Sequence, residues 1–217
     1  MTHPFRILLG LILTLTYCAA SQAGEGVNGL LLPGKKAAQA AEATASKDGK
    51  TITFDGEEYL LKNNQSSPGQ STSELREYLR EGEDWDGYRK MVALRMMSKE
   101  IKAEASALAN TILEQTKKQY PGSYTKEIFA EPDHAVILYI VVSGENVEFN
   151  FWDFRRTPEG YPSVQFVLRN KAPYETAAKF KAEQDARYDT WMADLATLCD
   201  RAEKILAATS GAAPSGK

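Results

Sequence analysis

The sequence predicts an α+β fold in which a mainly antiparallel sheet, made of an N-terminal hairpin and a C-terminal meander, is packed by two long helices. Three observations indicate this fold. A tight-turn signal lies near residue 55, apolar and alternating segments follow one another between residues 124 and 169, and two apolar stripes recur at helical spacing.

The N-terminal hairpin is predicted by Asp55-Gly56, which separates the strand-like segments 51–54 and 57–62. Both central residues of a tight two-residue hairpin need a positive φ, which Asp and Gly tolerate better than most residues. The sequence therefore predicts two strands joined by this turn.

The meander is indicated by an apolar run at residues 135–142 and by alternating segments at 147–154 and 163–169. A strand covered on both faces is apolar throughout, whereas a strand covered on one face alternates. Turn residues separate the three segments, so we expect adjacent antiparallel strands.

Two helices complete the predicted fold. The first carries apolar residues at three- and four-residue spacing from Ile101 to Leu113 and ends at Tyr120-Pro121-Gly122. The second runs from Tyr174 to about Ala208. A continuous helix of about 35 residues would be roughly 50 Å long, more than the width of such a domain. It must either break near Gln184 or project beyond the sheet.

The first 23 residues predict a cleavable secretory signal peptide. Arg6 precedes an apolar run of about 14 residues, which is shorter than the roughly 20 that span a membrane. Small residues at Ser21 and Ala23 favour cleavage after Ala23. Cys18 is an alternative lipidation site, but Tyr17 is bulky where a lipoprotein signal has a small residue. We expect a periplasmic or secreted product without a membrane span.

The remaining chain divides by composition. Residues 24–49 predict a low-complexity tether, 50–208 a single α+β domain, and 209–217 a disordered tail. Removing 23 of 217 residues leaves 194, with 25 basic residues after the loss of Arg6 and 29 acidic ones. This acidic balance argues against a nucleic-acid partner.

Cleavage also removes one of two cysteines and one of two histidines, leaving Cys199 and His134. One cysteine excludes an intramolecular disulfide, and one histidine excludes a zinc site built from several histidines. Cys199 lies on the apolar stripe of the second helix, where it is either buried or available to bridge two chains. Glu148 and Asp153 are five residues apart on one strand and should project to opposite faces. We expect no catalytic residues and no cofactor.

An acidic turn at residues 81–88 is the most distinctive local feature. Glu83, Asp84 and Asp86 could supply oxygen ligands to calcium, although their spacing is not that of an EF-hand. Trp85 and Tyr88 could instead form an aromatic contact with a partner, or pack in the core. The solvated acidic turn is the alternative to the calcium site.

The stretch from Tyr78 to Met97 (YLREGEDWDGYRKMVALRMM) resembles a pattern in small exported bacterial proteins of unknown function. This resemblance covers about 20 residues and implies an exported α+β domain without indicating an activity. The order of strands and helices is similar to that of the PsbP/Mog1-like sandwich, which implies a fold and no function.

The leading hypothesis is a non-catalytic envelope protein that binds another envelope protein, or itself, through a sheet edge or its long C-terminal helix. One alternative is a carboxylate-dependent hydrolase, because Asp and Glu are the abundant acid–base groups. The other is a small-ligand or calcium-binding protein.

Overall fold

Nine strands form one antiparallel sheet in the order β1-β2-β3-β4-β5-β9-β8-β7-β6. The computed structural model describes residues 43–67, 72–171 and 176–209. The strands are β1 (Thr44–Ala45), β2 (Thr51–Phe54), β3 (Glu57–Ser66), β4 (Thr72–Leu79), β5 (Lys90–Ser98), β6 (Tyr124–Ala130), β7 (His134–Ser143), β8 (Asn146–Arg155) and β9 (Gly160–Lys171). The helices are α1 (Ala105–Gln119), α2 (Thr176–Asp185), α3 (Tyr188–Cys199) and α4 (Ala202–Thr209).

The predicted fold class is wrong, because one large sheet dominates and the helices that pack on it are short. The helix expected from Tyr174 to about Ala208 is three helices of 10, 12 and 8 residues, and α1 has 15. The first break follows Asp185, next to the expected position at Gln184, and the second follows Cys199.

No glycine or proline lies at either break. Ion pairs to the sheet anchor the chain there: Arg187 bonds Asp55, and Asp200 bonds Arg155. Both breaks therefore coincide with contacts between the helical segment and the sheet.

The N-terminal hairpin is confirmed. Strands β2 and β3 pair around Asp55-Gly56, and both turn residues have positive φ, 55° and 71°. The meander is confirmed too, since β7 pairs with β8 and β8 with β9. Strand β9 also pairs with β5, which joins the meander to the N-terminal half of the sheet.

The helices cover the two faces of the sheet differently. Helices α3 and α4 pack on one face, which we call the C-terminal face, and α1 packs over β6 and β7 on the other, the α1 face. The largest apolar cluster lies under the C-terminal helices and includes the buried aromatic residues Phe149, Phe151, Phe166 and Trp191. This burial supplies most of the hydrophobic stabilisation.

The described part of the segment predicted to be a tether is folded. Ala43 is buried, and Thr44–Ala45 form β1 against β2. The predicted signal peptide, residues 24–42 of the predicted tether and residues 210–217 of the predicted tail lie outside the described residues. Within the described ranges, no helix combines the length and apolar character needed to cross a bilayer.

Candidate functional site

The acidic turn at residues 81–88 is held together by its own carboxylates. Glu83 pairs with Arg80 and accepts a hydrogen bond from the backbone N–H of Arg89 at 3.2 Å. Asp84 Oδ1 accepts hydrogen bonds from the backbone N–H groups of Asp86 and Gly87 at 3.1 and 2.9 Å. Both carboxylates therefore stabilise the turn.

No three carboxylate, histidine or cysteine side chains in the described parts of the chain lie close enough together to hold a metal ion. The structure thus places Glu83, Asp84 and Asp86 in one turn without bringing them together as ligands. The calcium hypothesis stays a prediction that this geometry does not favour.

The two aromatic residues of the turn pack inward. Tyr88 is 7% exposed, and its hydroxyl accepts a hydrogen bond from Arg169 Nη2 at 2.6 Å. The Arg169 guanidinium also lies 3.7 Å from the centre of the Tyr88 ring. Trp85 is half-buried and meets Tyr88 edge to face at 6.3 Å. The structure therefore gives Tyr88 a packing role and leaves only part of Trp85 at the surface.

Arg169 joins this aromatic pair to a buried carboxylate. Its Nε donates to Glu148 Oε1 at 2.7 Å, and Glu148 is 4% exposed. Burial raises the pKa of Glu148, opposed by the nearby guanidinium. Arg169 and Tyr88 both donate hydrogen bonds to the Glu148 carboxylate, which is therefore not accessible to a substrate as an acid. Glu148 gives the hydrolase alternative no support.

A second buried cation lies on the α1 face. Arg95 is 2% exposed, and neither of its terminal nitrogens has a hydrogen-bond partner within the described residues. Its guanidinium carbon lies 5.0 Å from the centre of the Trp152 ring, and burial lowers the pKa of Arg95. The indole face of Trp152 and the nearby carboxylate of Glu77 both stabilise this charge.

His134 pairs with Asp153, not with the neighbouring Asp133. Its Nε2 lies 3.0 Å from Asp153 Oδ1, and Arg155 approaches the other oxygen at 3.7 Å. Sequence reasoning missed this pair because the two residues come together only when β7 and β8 align. Asp153 lies on the C-terminal face and Glu148 on the α1 face, as their odd spacing predicts.

Cys199 is a buried thiol. It is 3% exposed, and its Sγ donates to the backbone oxygens of Asp153 and Pro162 at 3.8 and 3.5 Å. Burial raises the pKa of this thiol well above its ordinary value. A protonated thiol inside the domain is neither a ready nucleophile nor a bridge between chains.

The apolar stripe of the C-terminal helices is buried against the sheet. Trp191, Leu195, Leu198 and Ala202 are completely buried, and they pack in the core against the sheet. The apolar stripe that motivated the expected contact through a projecting C-terminal helix faces β8 and β9, so the packing of these helices gives that prediction no support.

The outer edge of β6 carries exposed hydrophobic side chains, and we call it the open edge. Strand β6 pairs with β7, and no other described strand pairs with it. Tyr124 and Phe129 are 40% and 37% exposed, and they are the large exposed hydrophobic residues of the described chain. Both therefore lie on one edge strand, whose outer side pairs with no described strand.

Side chains on the open edge share one face of the sheet. Tyr124, Lys126 and Phe129 are opposite Ile140, Leu138 and Val136, which all belong to the core of the C-terminal face. Register shifts between Glu127 and Phe129, so the strand bulges there. Sequence reasoning named a sheet edge without locating it, because edge position depends on the order of strands and not on local pattern.

The chain belongs to a family of uncharacterised bacterial proteins, whose model matches residues 48–199. No curated protein matches the chain. The solved structure of the Ran-binding protein Mog1p of Saccharomyces cerevisiae is similar at 8% identity and a TM-score of 0.36, covering 78% of this chain and 92% of that chain.

A point mutant of protein Mog1 is similar at the same identity and TM-score, with 78% of this chain and 93% of that chain covered.

Proposed function

We propose that this chain is an exported, non-catalytic binding protein that takes up an extended segment of a partner protein along the open edge of β6. One observation carries the proposal: the two large hydrophobic side chains that the described residues expose, Tyr124 and Phe129, both lie on an edge strand that pairs with a described strand on one side only. Edge strands recognise extended peptides through main-chain hydrogen bonds, and pockets beside alternate side chains supply the specificity.

The chemistry of the edge defines the partner. An added strand would pair with the outward backbone groups of Tyr124–Ala130 and cover the two aromatic rings. Lys126 and Glu127 are exposed between those rings. The partner is therefore an extended segment with apolar side chains at its ends and an opposite or neutral charge pattern between them.

Two features make this edge selective. A charged residue and a bulge both hinder indiscriminate pairing of sheet edges, and Lys126 and the bulge at residues 127–129 lie in the middle of β6. Unrestricted addition of strands is disfavoured, so a bound segment must match the two aromatic ends.

Export is supported by the basic start, the apolar run and the small residues before Gly24. We expect the mature protein to begin at Gly24 and to leave the cytoplasm. Intact mass measured on protein purified from the extracytoplasmic fraction tests this directly. A full-length product confined to the cytoplasm would contradict export and leave the edge proposal standing.

Site-specific photocrosslinking tests the open edge. A photoreactive phenylalanine analogue replaces Tyr124 or Phe129 in the native host, and the matched control carries it at Asn110, an exposed position on α1. We expect the same discrete protein adduct from both edge positions and none from Asn110. The adduct from position 124 should disappear when Phe129→Asp is added.

The absence of adducts at the edge, or equal adducts at all three positions, would overturn the proposal. Self-association is a distinguishable outcome, because the adduct would then have twice the mass of the chain.

A further inference from the structure

A surface cavity at one end of the sheet collects three cationic side chains. It has a volume of about 380 Å³ and lies between the end of β5, the β6–β7 turn and the β8–β9 turn. Lys99, Lys102 and Arg156 line it together with one carboxylate, Asp133. The lining therefore carries a net charge of about +2, from three cations and one anion, in a chain whose net charge is −3.

Hydrogen bonds to main-chain carbonyl groups fix the three segments that form the cavity. The backbone N–H of Arg156 donates to the Asp133 carbonyl at 2.7 Å, and the Tyr161 hydroxyl donates to the Ala103 carbonyl. The backbone N–H of Ala105 donates to the Pro132 carbonyl at 2.7 Å, which ties the start of α1 to the same turn. The cavity is thus formed before any ligand arrives.

Gly160 allows the β8–β9 turn to approach β5 closely. Its φ is +140°, and a Cβ at this position would lie 2.2 Å from the carbonyl oxygen of Met97. Any other residue would push the turn, and with it Arg156, away from Lys99. The close approach therefore keeps the β8–β9 turn, which carries Arg156, beside the backbone of Lys99.

We propose that this cavity binds a small anion that carries phosphate or carboxylate oxygens. Its volume falls within the range of ordinary small-ligand sites, and guanidinium and ammonium groups are the usual donors to both kinds of oxygen. Arg156 is already 3.9 Å from Asp133, so the ligand would replace or share that contact while the two lysines supply the remaining charge. The site is separate from the open edge, and neither proposal depends on the other.

The test is a nuclear magnetic resonance titration of the isotopically labelled protein with inorganic phosphate and, separately, with citrate at matched ionic strength. We expect saturable shifts of the backbone amides at residues 99–102 and 156–157. A phosphate response alone identifies a phosphoryl ligand, a citrate response alone a carboxylate ligand, and both responses identify a general oxyanion site. Each of these outcomes supports the proposal.

Matched variants separate a site from general charge attraction. Lys102→Gln should weaken binding about tenfold, as expected for loss of one charge-assisted hydrogen bond. Lys118→Gln makes the same change in net charge on an exposed position of α1 and should leave the affinity unchanged. Equal weakening by both variants, or no saturable response to either anion, would overturn the proposal.

Discussion

The two edge strands of the sheet, β1 and β6, differ in length and in how far they are covered. Strand β1 has two residues, and Ala43 beside it is buried. Asp194 of α3 accepts hydrogen bonds there from the backbone N–H groups of Asp55, at 2.6 Å, and Ala43. Strand β6 has seven residues, carries two exposed aromatic rings and is paired on one side in the described chain.

The edge at β1 is covered by a helix, and we call it the closed edge. The edge at β6 exposes its two aromatic rings. A short edge strand covered by a helix is one way in which proteins prevent edge-to-edge association. Helix α3 covers β1 in this way. At β6, the features that hinder edge-to-edge association are the charge of Lys126 and a bulge. The contrast is what favours β6 as the binding surface.

Asp194→Ala should produce the largest effect, by opening the closed edge. It removes the acceptor of two backbone N–H groups, each of which costs about 1–3 kcal/mol when buried and unpaired. We expect the free energy of unfolding to fall by about 2–4 kcal/mol, measured by urea denaturation. Asp189→Ala, at an exposed position of the same helix, should cost less than about 1 kcal/mol. Equal losses would show that Asp194 does not hold the edge.

The closed edge should also depend on pH. Burial raises the pKa of Asp194 above the ordinary value for an aspartate. The native state then keeps a proton that the unfolded chain has already released, so this residue's contribution to stability decreases as pH rises through that interval. We expect wild type to lose stability relative to Asp194→Asn as pH rises from the ordinary aspartate pKa of about 3.9 towards the raised native pKa. A relative gain in stability with rising pH would contradict this assignment.

Lys126→Ile should remove protection from the open edge. The charge in the middle of β6 opposes pairing with a second sheet, and isoleucine favours it. We expect concentration-dependent self-association in analytical ultracentrifugation, with the wild type less associated at every concentration. Lys118→Ile on α1 adds the same side chain away from the sheet and should behave as wild type. Identical sedimentation of all three proteins would argue that β6 is not open.

The smallest expected effect on stability comes from Tyr124→Ser and Phe129→Ser. Both rings are substantially exposed, so each substitution should change the free energy of unfolding by less than about 1 kcal/mol. Phe166→Ala, at a fully buried position, should cost about 3–5 kcal/mol. If the β6 variants lost as much stability as the Phe166 variant, their rings would be core residues and not binding groups.

Local pattern predicted much of the sheet. The hairpin at Asp55-Gly56 and the meander β7-β8-β9 follow from turn chemistry and alternation, and both are present. The prediction of one long C-terminal helix is wrong. The helix is interrupted where Arg187 bonds Asp55 and where Asp200 bonds Arg155. Contacts between residues so far apart in the chain leave no local signal.

The candidate site was less predictable, for the same reason. The sequence leaves Tyr88 as either a core or a contact residue, and its burial beside Arg169, 81 positions away, depends on the tertiary structure. Tyr124 and Phe129 looked like ordinary strand residues, and only the order of strands shows that they lie on an edge. The cavity likewise combines residues from three separate turns.

Amide hydrogen exchange of the free protein tests the open edge most directly. In an antiparallel pair, inward-facing amides of an edge strand are bonded and outward-facing ones are not. We therefore expect the amides of Tyr124–Ala130 to divide into slow and fast groups, while the interior strand β7 is protected throughout. Uniform protection of β6, equal to that of β7, would show that the edge is already covered and would contradict the proposed mode of binding.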